Sequence, residues 1–290
     1  MKRIQITAVS RGEKFSPNHI SNDAAIFKKV VNELEQKNCI VNTYTEEIFV
    51  RDNISDLIIF NMARDGRTLE RLKELEDSGA LVINSAYGIG NCIRKPMTEK
   101  LLENGIPHPE SIFINTRQTY QGNFFPCWLK RADSHAIVKE DVAYAADQHQ
   151  ADAILNDFKN RGIAEAVVNK HIQGDLIKFY GVLDSDFFYW FHPDPCSHSK
   201  FGLEKINGKA HGYSFDVNQL KEYSNKASRT MNVPIYGGDC VVEPDGRLTI
   251  IDFNDGPSFA RCREEAGKAI ADYIYKQALK QTNHDEGFSK

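Results

Sequence analysis

Up to Ile83 the apolar positions follow two alternating rhythms. The short runs Ile4–Val9, Cys39–Tyr44, Leu57–Phe60 and Ala80–Ile83 have the length and β-branched content of strands. Between them, Ile26, Phe27, Val30, Val31 and Leu34 recur at helical spacing over about 22–37, and Leu69, Leu72 and Leu75 mark a helix that stops at Gly79. This β-α-β-β-α-β order predicts a small open α/β domain with parallel strands. In such sheets ligands sit beyond the carboxyl ends of the strands. That rule places Ser10, Arg11, Lys14, Met62 and Arg64 at a crevice, with Arg11 and Arg64 as candidate anion contacts.

The pattern then changes to a mixed one. Lys95-Pro96 opens a short helix through Leu101 and Leu102 to Gly105, proline being suited to a first helical turn. Phe125–Lys130 reads as a strand ending in lysine, and Ile154, Leu155 and Phe158 as a helix closed by Gly162. Ala166–Val168 is a strand that runs into the polar stretch Asn169–Asp175, followed by strands Leu176–Leu183 and Phe187–Phe191. The segment 192–215, rich in histidine, proline and glycine, reads as a long loop or lid. Asp216 with Gln219 forms a capping-box pattern before a helix bearing Leu220, Tyr223 and Ala227. Ser258 is placed as the cap of a last helix carrying Ala266, Ile270 and Ile274, fraying from about Thr282.

The stretch Gly237–Phe259 carries the densest candidate chemistry. Two apolar runs, Cys240–Val242 and Leu248–Ile251, flank Pro244-Asp245-Gly246, which predicts a hairpin. Alternation puts Asp252 and Asn254 on one face. A four-residue loop, Pro244–Arg247, sets Asp239 opposite Asp252 on that face, whereas a three-residue loop sends Asp239 to the other side. Two carboxylates and an amide oxygen on one sheet face make a hard oxygen site suited to Mg2+ and the phosphates it carries.

Composition narrows the classes. With 41% hydrophobic and 26% charged residues over 290 positions, the chain suits two or three soluble units. Thirty-six Lys plus Arg against 40 Asp plus Glu give −4, which argues against a general nucleic-acid binder while permitting a local basic cleft. No apolar run approaches a membrane span, and the first ten residues are too brief for a signal peptide. The six cysteines are scattered without a C-x-x-C pair, as in a reduced cytosolic protein, so a cytoplasmic location is expected. His192, His198 and His211 lack close metal-ligand spacing. Gly88-Ile89-Gly90 lacks the third glycine of a dinucleotide fingerprint, and no G-x-x-x-x-G-K-[ST] loop occurs, so neither glycine-rich device holds a nucleotide.

A small α/β domain, a strand-borne lysine, a strand with a polar hinge, a second lysine and then Asp…Asp-x-Asn on a hairpin resemble the ATP-grasp superfamily. The resemblance covers most of the chain after about Asn84, with the N-terminal domain matching the usual preceding domain. It implies a small Rossmann-like domain over 1–92 followed by a two-lobed ATP-grasp domain, 93–172 and 173–290, of α/β and α+β class. On the same grounds Lys95, Lys130 and Lys178 would meet ATP phosphates, and Asn169, Lys170, His171 and Ile172 would form the hinge along the adenine edge. Asp175 would meet the ribose, and Asp239, Asp252 and Asn254 would bind Mg2+. The majority activity of that family, ligation of a carboxylate to an amine through an acyl phosphate, is the first expectation, with Arg261 or Arg263 holding the substrate carboxylate. Asp252 and Leu176–Tyr180 are similar to the inositol-phosphate kinase branch, which makes phosphorylation of a small polyol the second. Nucleotide binding without turnover is the third. The expected partner is a small molecule, neither nucleic acid nor membrane; dimers are common in that family, so a homodimer is compatible with the resemblance, but the sequence does not set the oligomeric state.

Overall fold

A computed structural model describes residues 3–16, 19–122, 124–136, 138–193, 206 and 208–287, with side chains to 282. Among these residues the strands form three four-stranded sheets. The first holds β1 (Gln5–Ser10), β2 (Ile40–Thr45), β3 (Ile58–Asn61) and β4 (Leu81–Ile83) in the order β2-β1-β3-β4, all pairs parallel. Alternation along β1 sends Ile6 and Ala8 to one face and Val9 to the other. Helix α1 (Ile20–Gln36) covers the first face, while α2 (Glu46–Arg51) and α3 (Gly66–Asp77) cover the second. Helix α2 had no signal in the apolar periodicity; it is a short turn capped by Thr45, which accepts from the Ile48 N–H.

After α4 (Ala86–Asn91) and α5 (Arg94–Glu103) come β5 (Ser111–Asn115), β6 (Cys127–Arg131), β7 (Val142–Ala145), α6 (Gln148–Asn160) and β8 (Glu165–Lys170). These strands form an antiparallel sheet ordered β5-β8-β6-β7. Its Cys127, Leu129, Ala166 and Val168 bury against Leu155 and Phe158 of α6. The next residues along each strand, Trp128, Lys130 and Asn169, therefore face the opposite way, into a cleft.

The last sheet joins β9 (Asp175–Val182), β10 (Phe188–Phe191), β11 (Ile235–Val242) and β12 (Leu248–Asp255) in the order β10-β9-β11-β12, antiparallel throughout. One face packs with α7 (Val217–Met231), whose cap Asp216 accepts from the N–H groups of Asn218 and Gln219, and with Met97 and Leu101 of α5. The other face closes the cleft. Helix α8 runs Arg263–Gly287, so it starts five residues past Ser258 and remains helical beyond Thr282, against the sequence expectation.

Two helices pack away from the sheet of their own sequence interval. Helix α8 buries Ala266, Ile270 and Ile274 beside α1 on the first sheet, and α5 buries in the core of the third. Each fully buried isoleucine of α8 contributes about 1.5–3 kcal/mol, which locks the three units around one cleft. Asn84 adds a polar tie, its amide exchanging hydrogen bonds with the Ile235 backbone at 2.8 and 2.9 Å. Most of the segment 192–215, including Cys196 and His198, lies outside the described residues. Among those described, no helix is long and apolar enough to cross a membrane.

Candidate active site

The hairpin of β11 and β12 reaches the expected pairing by an unexpected route. Glu243 N–H donates to Arg247 and Gly246 N–H to Glu243, each at 2.9 Å, which leaves a three-residue tip, and Gly246 adopts φ +84°. Continued without interruption, that tip would set Asp239 opposite Ile251. The ladder instead runs Val241↔Thr249, Cys240↔Ile250 and then Asp239↔Asp252, so Ile251 is the extra residue of a β-bulge. The bulge breaks the alternation of side chains. Leu248, Ile250 and Phe253 face the core, whereas Asp252 and Asn254 line the cleft with Asp239. Without Ile251 out of register, Asp252 would follow Ile250 inward.

Three cations from three different elements brace this acidic ledge. Lys178, opposite Asp239 on β9, reaches both oxygens of that carboxylate at 3.1 and 3.2 Å. Arg94, buried in the first turn of α5, donates to Asp252 Oδ1 at 2.7 Å. Lys130 crosses from the second sheet to donate to the Ile251 carbonyl at 3.2 Å. Burial, then the neighbouring Arg94, push the Lys130 ammonium down to about 7, against the pull of Asp252 and Asp239. Burial also works against ionisation of Asp252, but Arg94, Lys130 and Lys178 outweigh it and hold that carboxyl below its ordinary value.

The facing wall, on the second sheet, is built differently. Asn169 is 1% exposed; its Nδ2 donates to Ser111 Oγ at 2.8 Å, while its Oδ1 is buried with no hydrogen-bond partner. His171 Nδ1 accepts from Trp128 Nε1–H at 3.0 Å, and burial lowers the imidazole's pKa despite a Gln173 contact. Lys170 lies 3.6 Å from Glu110 at the rim, and Ile172, past the end of β8, lines the same wall. Together the two walls bound a cavity of about 740 Å3.

The first sheet closes the far end: Arg11, Lys14 and Arg64 line the cleft as its strand ends predicted, whereas Ser10 and Met62 do not. Arg11 pairs with buried Asp23 at 3.0 Å and donates to the Gly256 carbonyl at 2.9 Å. Arg64 lies 2.7 Å from Asp255 Oδ1 and 2.6 Å from His135 Nε2, joining all three units at one point. Buried Glu46 fixes both loops by accepting from the N–H groups of Gly12, Arg64 and Asp65 at 2.6–3.0 Å. Arg261 also lines the cleft, its guanidinium 4.4 Å from the Phe191 ring centroid.

Three residues singled out in the sequence stand elsewhere. Lys95 pairs with Glu165 at 2.9 Å outside the cleft; Arg94, its neighbour, takes the inward place because adjacent residues of a helix point about 100° apart. Asp175 is 2% exposed and accepts from the N–H groups of His211, Gly212 and Tyr213, so its carboxylate anchors the segment before α7 and is already saturated. Burial opposes ionisation there, and the three backbone donors outweigh it, holding the pKa below the usual carboxylate range. Arg263 points to Asn22 of α1 at 2.9 Å. Sequence reasoning missed Arg94, Trp128 and His135; only the paired cations Arg94-Lys95 left a trace, and nothing in them said which faces in.

The donor set fits a hard divalent cation. Asp239, Asp252 and Asn254 present oxygens from one sheet face to the cleft, and among the described residues no group of three His, Cys, Asp or Glu competes with them. Arg94, Lys130 and Lys178 hold the Asp252 carboxyl below its ordinary value, so it stands ionised, as a ligand to a metal must be.

No protein-family model and no curated protein matches this sequence. Solved structures do match. D-alanine–D-alanine ligase from Coxiella burnetii aligns at TM-score 0.69 and 11% identity over 99% of this chain and 98% of its own. The D-alanine–D-alanine ligase from Bacillus anthracis complexed with ATP aligns at TM-score 0.63 and 13% identity over 97% and 99%. The ATP-grasp ligase PsnB complexed with minimal precursor aligns at TM-score 0.61 and 13% identity over 96% and 100%.

Proposed function

We propose that this chain, which has the ATP-grasp fold, is an ATP-dependent ligase that joins a carboxylate to an amine. The observation that carries the reading is the ledge: Asp239, Asp252 and Asn254 turned by a bulge onto one cleft face, with Lys178, Arg94 and Lys130 converging on it. A triphosphate brings several negative charges, and these three cations would neutralise and position it. Mg2+ held by the two aspartates and Asn254 would stabilise charge on the β- and γ-phosphates.

The base would lie against Trp128, His171 and Ile172, where the orphaned Asn169 Oδ1 awaits a donor such as an exocyclic amine. Lys170 would stand at the rim of that subsite. The acyl acceptor would lie beside the 254–258 turn with Arg261 holding its carboxylate. A carboxylate oxygen attacks the γ-phosphorus and ADP leaves. The amine then attacks the acyl carbon, phosphate departs and one amine proton is lost. No covalent nucleophile of the protein is needed; placement and electrostatics do the work.

A screen of amino acids, dicarboxylates and polyols scored for ADP release tests this. ADP and phosphate with amide formation is the expected result. A phosphorylated polyol would replace it with the kinase reading, and nucleotide binding without turnover in every combination would remove catalysis.

A further inference from the structure

The bulge at Ile251 is held from outside its own sheet. Strand β12 is an edge strand, so its outward backbone groups need partners. The connection from α5 to β5 supplies them at one residue: Ile250 N–H donates to the Pro107 carbonyl at 2.9 Å, and the Ile250 carbonyl lies 2.7 Å from His108 Nδ1. A carbonyl only accepts, so this contact fixes the Nδ1–H tautomer. Burial, then Lys130, lower the imidazole pKa to about 3, which keeps the ring neutral at any working pH. His108 lies outside the cleft lining, and its ring hydrogen-bonds the Ile250 carbonyl rather than an aspartate.

We propose that His108 is a positioning residue for the metal ledge: its Nδ1–H pins the Ile250 carbonyl, and this fixes the bulge that turns Asp252 onto the face of Asp239. The inference rests on the reading of Asp239, Asp252 and Asn254 as a metal site. The residue after the pinned carbonyl is the out-of-register one, and the residue after that is the ligand. A peptide free to rotate at Ile250 lets the strand return to plain alternation, in which Asp252 competes with Phe253 for the core face. Outer partners of this kind typically govern metal affinity by about 10–100-fold.

The test is Mn2+ titration into ADP-saturated protein, read by electron paramagnetic resonance, with thermal unfolding beside it. Asparagine can place an N–H where Nδ1 stands; glutamine fills similar volume with its donor one bond too far. His108→Asn should retain Mn2+ affinity within about threefold, while His108→Gln should lose about tenfold or more at the ADP affinity of the parent. Equal Mn2+ affinity in both variants, or a fall that tracks melting temperature alone, would overturn the role of His108. Absence of Mn2+ binding in the parent protein would instead sink the metal site itself. His108→Leu, should it fold, is expected to behave as the glutamine variant; Mn2+ affinity equal to the parent's would also overturn the role.

Discussion

The two walls of the cleft solve the same problem in opposite ways. On the third sheet both carboxylates of the ledge already have a cation: Asp239 has Lys178 and Asp252 has Arg94. On the second sheet the wall is aromatic and apolar, and its buried amide oxygen, on Asn169, has nothing to accept from. The first wall is preorganised by charge and the second by packing, with one acceptor held in reserve. Charges that are rigidly placed in advance cost no reorganisation when a phosphate arrives. An orphaned acceptor costs about 1–3 kcal/mol until it finds a donor, and is then a point of selection.

Removing charge from the ledge should have the largest effect. Asp252→Asn is expected to lower turnover by at least about a thousandfold, because on the proposed reading it removes a metal ligand and charge stabilisation together. The same change takes the charged partner from buried Arg94, so a loss of about 1–3 kcal/mol in urea unfolding is expected beside it. Parent-like turnover in this variant would remove the ledge from the chemistry.

Lys130 couples the walls and carries a pH signature. With its pKa lowered to about 7 in the free protein, it is charged below that pH and neutral above it. A bound phosphate favours the ammonium, so binding above pH 7 takes up a proton, and ADP affinity should fall as pH rises from 6 to 9. Calorimetry in buffers of different ionisation enthalpy should register that uptake, and Lys130→Met should abolish it and weaken ADP at pH 6 by about tenfold. A pH-independent ADP affinity in the parent would detach Lys130 from the nucleotide.

On the other wall the effect is smaller and selective. Asn169→Leu should reduce discrimination between ATP and its 6-oxo analogues by about 5–30-fold, mainly by weakening ATP. Unchanged discrimination would mean that Oδ1 meets something other than the base. The smallest expected effect is Lys95→Ala, within about twofold in ADP affinity, since that lysine pairs with Glu165 outside the cleft. Arg94→Ala beside it should resemble Asp252→Asn. Reversal of that order would restore the assignment drawn from sequence.

Much of the fold was legible because periodicity reports burial. The parallel first sheet, α1, α3, α6 and the strands bearing Lys130 and Lys178 follow from the spacing of apolar residues alone. Strands β5 and β7 and helices α2 and α4 were not, being short pieces whose state is set by neighbours. The ledge was legible in its residue types but not in its mechanism. Asp239 and Asp252 share a face through a bulge, and nothing local in Ile250-Ile251-Asp252 announces one. Lys95 against Arg94 shows the same limit, since a one-residue rotation at a helix start is decided by what the helix packs on. Asp175 misled because a carboxylate after a glycine serves equally as a ligand or as a backbone anchor, and only the fold brings residues 211–213 to it.

The most direct measurement is a crystal structure with Mn2+ and a non-hydrolysable ATP analogue, with the metal located by its anomalous signal. The account predicts a peak within coordinating distance of Asp239, Asp252 and Asn254, the triphosphate against Lys130 and Lys178, and the adenine beside Asn169. A metal or nucleotide bound elsewhere, or Asp252 turned away from Asp239 in that complex, would contradict it.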